Sequence, residues 1–217
     1  MYVPVDWQGA LSSFDAAVSS QYNFLINSIP LKACPSKVSI LKASNVCAVN
    51  VPLTLAECNS RVSDILRQIK ACADAEGKAF NYAVGLTNVD ICGDEKGFTI
   101  MHGTVIGEAP YPMVTTHELG HEWGLNDEYV DACRCGYYVN PSTNCLDAGT
   151  GGSDPYTGYT SAACAGGSTC PGYFITCQGN KNAAGGRCIM SYALAPEPRG
   201  FCQHCLDHLN TIAALKC

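Results

Sequence analysis

The sequence predicts an α+β domain in two lobes: helices and a mixed sheet first, then an irregular cysteine-rich lobe that ends in a helix. Helical and strand-like periods alternate through about residue 126. A helix in mid-chain carries two histidines four positions apart. From Asp131 to Gly186, Gly, Ser, Thr, Tyr, Pro and Cys dominate and neither period persists. With 217 residues, 47% of them hydrophobic, the chain is expected to be one domain, with an upper lobe of about 1–126 and a lower lobe of about 127–217.

Leu11, Phe14, Val18, Tyr22, Leu25 and Ile29 recur every three or four residues and stop at Pro30, so the first element reads as an amphipathic helix. Val38 and Ile40 alternate with polar neighbours from Lys37 to Leu41, as in a strand. Thr54 and Glu57 have capping-box spacing. Val62, Ile65, Leu66, Ile69 and Ala73 continue one stripe of a second helix, which carries Cys58 and Cys72, expected to bridge to neighbouring elements. Phe80 to Leu86 reads as a buried strand and Gly97 to Ile106 as another, with Phe98, Ile100, His102 and Thr104 on one face. Pro112 suits the first turn of a third helix that runs to about Gly124. A last helix is expected from Gln203 to Lys216, with Leu206, Leu209 and Ala213 inward.

The third helix holds the most informative string, His117-Glu118-Leu119-Gly120-His121-Glu122-Trp123-Gly124-Leu125-Asn126-Asp127. His117 and His121 lie one turn apart on one helix face and can converge on a single ion. Glu118 stands about 100° further round, near the metal without being a ligand, which is the place for a general base that takes a proton from water. Gly124 lets the chain take φ > 0 and leave the helix, so that Asp127 can return as third ligand, with Glu128 as the alternative after a one-residue shift. Two neutral imidazoles and one carboxylate leave a fourth coordination position for water, the ligand count of a catalytic zinc.

Downstream, Cys188-Ile189-Met190-Ser191-Tyr192 looks like a Met-turn. Together the two segments resemble the metzincin clan of zinc endopeptidases, whose pattern is H-E-x-x-H-x-x-G-x-x-H followed by such a turn. Asp127 stands where the third histidine is usual; a carboxylate donates negative charge and makes the zinc a weaker Lewis acid. The resemblance implies a metzincin-like zincin fold, His117 and His121 as zinc ligands, Glu118 as general acid/base and Met190 as the apolar floor beneath the metal. It also implies that Tyr192 reaches the zinc or the oxyanion. In that clan the strand in the place of Gly97 to Ile106 is the sheet edge against which an extended peptide lies, and main-chain pairing of this kind gives broad specificity. Trp123 reads as packing.

Fifteen cysteines favour an oxidising compartment and hence secretion, with disulfide-rich intracellular proteins of hyperthermophiles as the exception. The odd count leaves at least one sulfur over, with seven bridges and one spare the simplest arithmetic, for a free thiol, a bridge to another chain or a metal. Met1 to Gln8 has neither a basic start nor an apolar core, so no signal peptide is read there. A net charge of −6 with 13 Lys+Arg and no basic run argues against nucleic acid or an anionic membrane as partner, and no apolar run is long enough to span a bilayer. The expected partner is a peptide or protein substrate.

Three weaker signals are set against plainer readings. Cys202, His204, Cys205 and His208 could form a structural zinc site, but disulfides and solvated histidines are preferred without a second cysteine pair nearby. Asp147 to Tyr159, with Asp147 and Asp154, could offer oxygens to calcium but lacks EF-hand spacing and reads first as a loop. Cys133 and Cys135 are close enough in sequence to silence the metal, though bridging is preferred; His102 reads as a strand residue with a minor claim to substrate contact. The alternative to a zinc endopeptidase is a disulfide-stapled extracellular structural or interaction module with a latent or stabilising metal site, and Glu118 speaks against it because a structural zinc needs no base.

Overall fold

Four short apolar segments pair into one mixed sheet in the computed structural model, which describes residues 1–52, 54–92, 96–99, 102–125, 188–190, 200–212 and 215. The strands are β1 (Tyr2–Pro4), β2 (Ala83–Thr87), β3 (Gly97–Thr99) and β4 (Thr104–Glu108), in the order β1-β2-β4-β3. β1, β2 and β4 run parallel, and β3 pairs antiparallel with β4. Among the described residues the helices are α1 (Leu11–Ser28), α2 (Leu55–Ala75), α3 (Pro112–Glu122) and α4 (Gln203–Leu209). Mixed α+β architecture is thus observed. The described chain forms two units, Met1–Trp123 with Ile212–Cys217, and Gly124–Thr211.

In the first unit β2 and β4 are buried along their whole length, as expected of parallel strands covered on both faces. Alternation sends Val3, Ala83 and Ile106 to the face covered by α2, where Ile65, Leu66, Ile69 and Ala73 complete the core. Each fully buried Ile or Leu of that stripe contributes roughly 1.5–3 kcal/mol. Thr54 caps α2: its Oγ1 accepts from the Glu57 backbone N–H at 3.4 Å and its hydroxyl donates to Glu57 Oε2 at 2.9 Å. Disulfides Cys47–Cys72 and Cys58–Cys92 hold the two ends of α2 to the segments beside it. Closing loops of 25 and 34 residues, they contribute about 3–4 kcal/mol each in the chain-entropy account. Cys34 is also disulfide-bonded.

α3 lies against β3, β4 and α1 on the other face. Its seat is made by two glycines that face each other in register across β3 and β4, Gly97 and Gly107. A Cβ on Gly97 would come within 2.6 Å of Val114 Cγ1 and 2.8 Å of the Ile106 carbonyl; one on Gly107 would come within 2.5 Å of Thr115 Oγ1. The missing side chains let the first turns of α3 approach the strands closely. Gln21 of α1, buried, donates to the Ala109 carbonyl in the connection between β4 and α3.

Several sequence expectations change. Lys37–Leu41 is no strand: Pro35–Lys37 forms a 3₁₀ turn that proline's fixed φ favours, Ile40 remains exposed, and pairing with β1 is reduced to the isolated bridge Tyr2↔Lys42. β1 was not read from the sequence. The strand expected at Gly97–Ile106 is two strands of an antiparallel pair, the chain turning through Gly103 at φ 75° and β4 continuing to Glu108. β4, which precedes α3, is therefore interior, and the edge position falls to β3. The expected strand Phe80–Leu86 is shorter and later, Ala83–Thr87. The last helix ends at Leu209, where Asn210 and Thr211 follow; both compete with the helix for backbone hydrogen bonds, and the Thr211 hydroxyl donates to the His208 carbonyl. No described helix is long and apolar enough to cross a membrane.

Candidate functional site

Proline occupies the first turn of α3, and Val114, Thr115, Thr116, His117, Glu118, Leu119 and Gly120 are all buried, so this helix is covered nearly all round. His117 is 3% exposed and His121 half-buried, which leaves one imidazole of the pair near solvent. Their Nε2 atoms are 3.1 Å apart and their rings meet edge to face at 89°. Two nitrogens at 2.0–2.1 Å from one tetrahedral zinc are roughly 3.3 Å apart, so the pair fits a shared ion. The same separation serves an Nε2–H···Nε2 hydrogen bond between complementary tautomers. Glu118 follows His117 directly and is buried at 9% exposure.

α3 closes on Trp123, whose N–H donates to the Leu119 and Gly120 carbonyls. The Trp123 ring packs edge to face on Tyr82 with centroids 6.2 Å apart, a packing role. Gly124 has φ 83°, the left-handed turn out of the helix that the sequence predicted. A Cβ on Gly124 would stand 3.4 Å from His208 Nε2.

Glu122, one residue after His121, fastens the helix end to the strand pair. The Thr99 hydroxyl donates to Glu122 Oε1 at 2.5 Å and the Gly103 N–H donates to Oε2 at 2.7 Å. The carboxylate thereby links the last turn of α3 to edge strand β3 and to the turn that leads into β4. His102, expected within a strand, sits exposed on that turn.

Near the start of α3 lies a second set of charges. Glu108 accepts from the Ile91 N–H at 3.0 Å and lies 3.4 Å from Lys96 Nζ, which also contacts Asp90. Burial pushes the Glu108 carboxyl above the usual carboxylate range, and a hydrogen bond shared with Asp90 adds to this. Hydrogen bonds from Lys96 and then Glu108 hold Asp90 below its ordinary value.

In the second unit Met190 is fully buried beside Ile189 and Cys188. Cys188, Cys202 and Cys205 are buried together with their Sγ atoms all within 4.8 Å of one another, an arrangement that could hold a metal ion. Sequence reading weighed Cys202, His204, Cys205 and His208 and missed Cys188. The signal that could have found it is the cysteine beginning the Met-turn-like string, fourteen residues before Cys202. Asp127, Glu128, Tyr192, Cys133, Cys135 and the Asp147–Tyr159 stretch lie outside the described residues. Neither a protein-family model nor a curated protein matches this chain.

Proposed function

We propose that the chain is a secreted zinc-dependent endopeptidase of the metzincin kind. The observation that carries this reading is the approach of His117 Nε2 and His121 Nε2 to 3.1 Å on a buried helix, with Glu118 between them in sequence. Support comes also from the left-handed Gly124 directly after the helix, the antiparallel edge strand β3 fastened to it through Glu122, and the buried Met190. The disulfides Cys47–Cys72 and Cys58–Cys92 favour an oxidising compartment and hence the extracellular placement.

His117 and His121 would hold the metal with Asp127, or Glu128, as carboxylate ligand. Zinc held there supplies Lewis acidity for polarising the scissile carbonyl and acidifying water. Glu118 accepts the proton of the attacking water and returns it to the departing amine nitrogen, so that one water is consumed and an acid and an amine leave. Tyr192 would stabilise the oxyanion. β3 would receive an extended peptide or protein segment by main-chain pairing, which reads backbone in preference to side chains. The charge of −6 fits a peptide substrate better than a polyanion.

The second reading, a disulfide-stapled extracellular module with a stabilising metal, draws its support from the buried sulfurs of Cys188, Cys202 and Cys205. Hydrolysis of a denatured protein by the zinc-loaded chain, with Glu118→Ala beside it, separates the two. The endopeptidase requires a loss of about 10²–10⁴-fold in the variant while its zinc content holds. Zinc bound without cleavage by either protein turns the assignment to the structural module.

A further inference from the structure

Cys202-Gln203-His204-Cys205 opens α4: Cys202 is the N-cap residue, and Cys205 lies in the first turn. This C-x-x-C spacing brings two sulfurs to one side of a helix start. Cys188 arrives from a separate segment that forms a parallel bridge with Gly200, in which the Ile189 N–H donates to the Gly200 carbonyl at 3.0 Å. The three side chains are essentially sealed from solvent, at 0%, 1% and 0% exposure for Cys188, Cys202 and Cys205.

We propose that Cys188, Cys202 and Cys205 form a structural zinc site, distinct from the histidine pair, that joins the Cys188–Met190 turn to the start of α4. The Cys188 and Cys205 sulfurs are 3.5 Å apart, and all three lie within 4.8 Å of one another. Two thiolates at about 2.3 Å from a tetrahedral zinc are roughly 3.8 Å apart, whereas sulfurs in a disulfide are about 2.05 Å apart. The Cys202 N–H donates to Cys188 Sγ at 3.2 Å, and a donor aimed at sulfur favours the thiolate that coordinates metal. A set of three thiolates selects a soft or borderline cation such as zinc over calcium or magnesium. Burial suits a structural role, in which a fourth donor beyond these three sulfurs would complete the tetrahedron. The consequence is a fixed Met190: two residues from a ligand, its fully buried side chain is held by the same bond that holds Cys188. The site stands on the sulfur geometry alone and does not depend on peptidase activity.

The test uses the full chain purified with zinc present and chelator absent, in a His117→Ala/His121→Ala background that removes the nitrogen pair. Zinc measured by mass spectrometry of the native protein is expected at about one equivalent, and is lost when Cys205→Ser is added. Cobalt(II) loaded in place of zinc is expected to give the near-ultraviolet thiolate-to-metal charge-transfer band in the chain that lacks His117 and His121. That measurement needs no cysteine substitution and holds even if Cys205→Ser fails to fold. A His117→Ala/His121→Ala chain that retains neither zinc nor the cobalt band overturns the site. So does peptide mapping of the same sample that finds a disulfide between any two of the three. Failure of the peptidase reading leaves both readouts untouched.

Discussion

The histidine pair on α3 and the cysteine trio of the second unit bring together side chains that could donate to a metal in two different ways. The nitrogens come from one helix, four residues apart, and one of them stays near solvent; the sulfurs come from two segments and are sealed. An exposed flank beside a buried carboxylate suits a site that must admit water and substrate. A buried set of thiolates suits a site that only has to hold. On the proposed reading, donor softness and access would divide chemistry from architecture.

The largest expected effect that would break this contrast is differential metal loss. Brief exposure to a chelator should lower hydrolysis by about 10²-fold or more, restored by added zinc, while the thermal midpoint stays near its starting value. Prolonged chelation without reductant, which leaves the Cys47–Cys72 and Cys58–Cys92 disulfides intact and in time reaches the sealed sulfurs, should then lower the midpoint. If activity and midpoint fall together, the two sites are not separate.

A second, smaller effect sharpens what holds the histidines in place. Gly97→Ala inserts a methyl within 2.6 Å of Val114 and 2.8 Å of the Ile106 carbonyl, and the carbonyl cannot move aside without disturbing the β3–β4 pair. Destabilisation of about 1–3 kcal/mol by denaturant titration is expected, with a fall in hydrolysis as α3 shifts on its seat. Unchanged stability would mean that α3 does not rest on the glycine pair.

The smallest effect concerns the opposite face of β4. Because burial raises the Glu108 carboxyl above its unfolded value, the folded state binds its proton more readily than the unfolded state. Its contribution is fully present below the unfolded carboxylate pKa and is lost as pH rises through the higher folded value. Glu108→Gln should therefore gain on the unsubstituted protein in thermal midpoint as pH is raised from about 4 to about 7, by a small amount because Lys96 offsets part of the burial effect. Hydrolysis per folded molecule should stay level, since Glu108 touches Ile91 and Lys96 and not the histidines. A midpoint gap that shrinks with rising pH would reverse the assigned direction.

Local patterns were legible where one element carries the whole signal. The stripe Phe14–Val18 is buried in α1, Thr54 caps α2, Pro112 opens α3 and Gly124 leaves it at φ 83°, each decided by residues within a few positions. The histidine pair belongs to this class, because four residues on a helix make one turn. Pairing partners were less legible. Tyr2–Pro4 has too few residues to show a period, and becomes a strand because β2 offers Val84, Gly85 and Leu86 in register. Ile40 shows strand alternation yet stays exposed because no full strand of the described sheet pairs with its segment.

By itself, then, the sequence determined α1, α2 and α3, the Thr54 cap, the mixed α+β class and the two imidazoles with their neighbouring carboxylate, since these depend on backbone geometry over one or two turns. Only the tertiary structure decided that β3 is the edge and β4 interior, that Gly97 and Gly107 make room for α3, and that Cys188 joins Cys202 and Cys205. Those arrangements rest on contacts between residues distant along the chain, which burial and close packing select and no local period encodes.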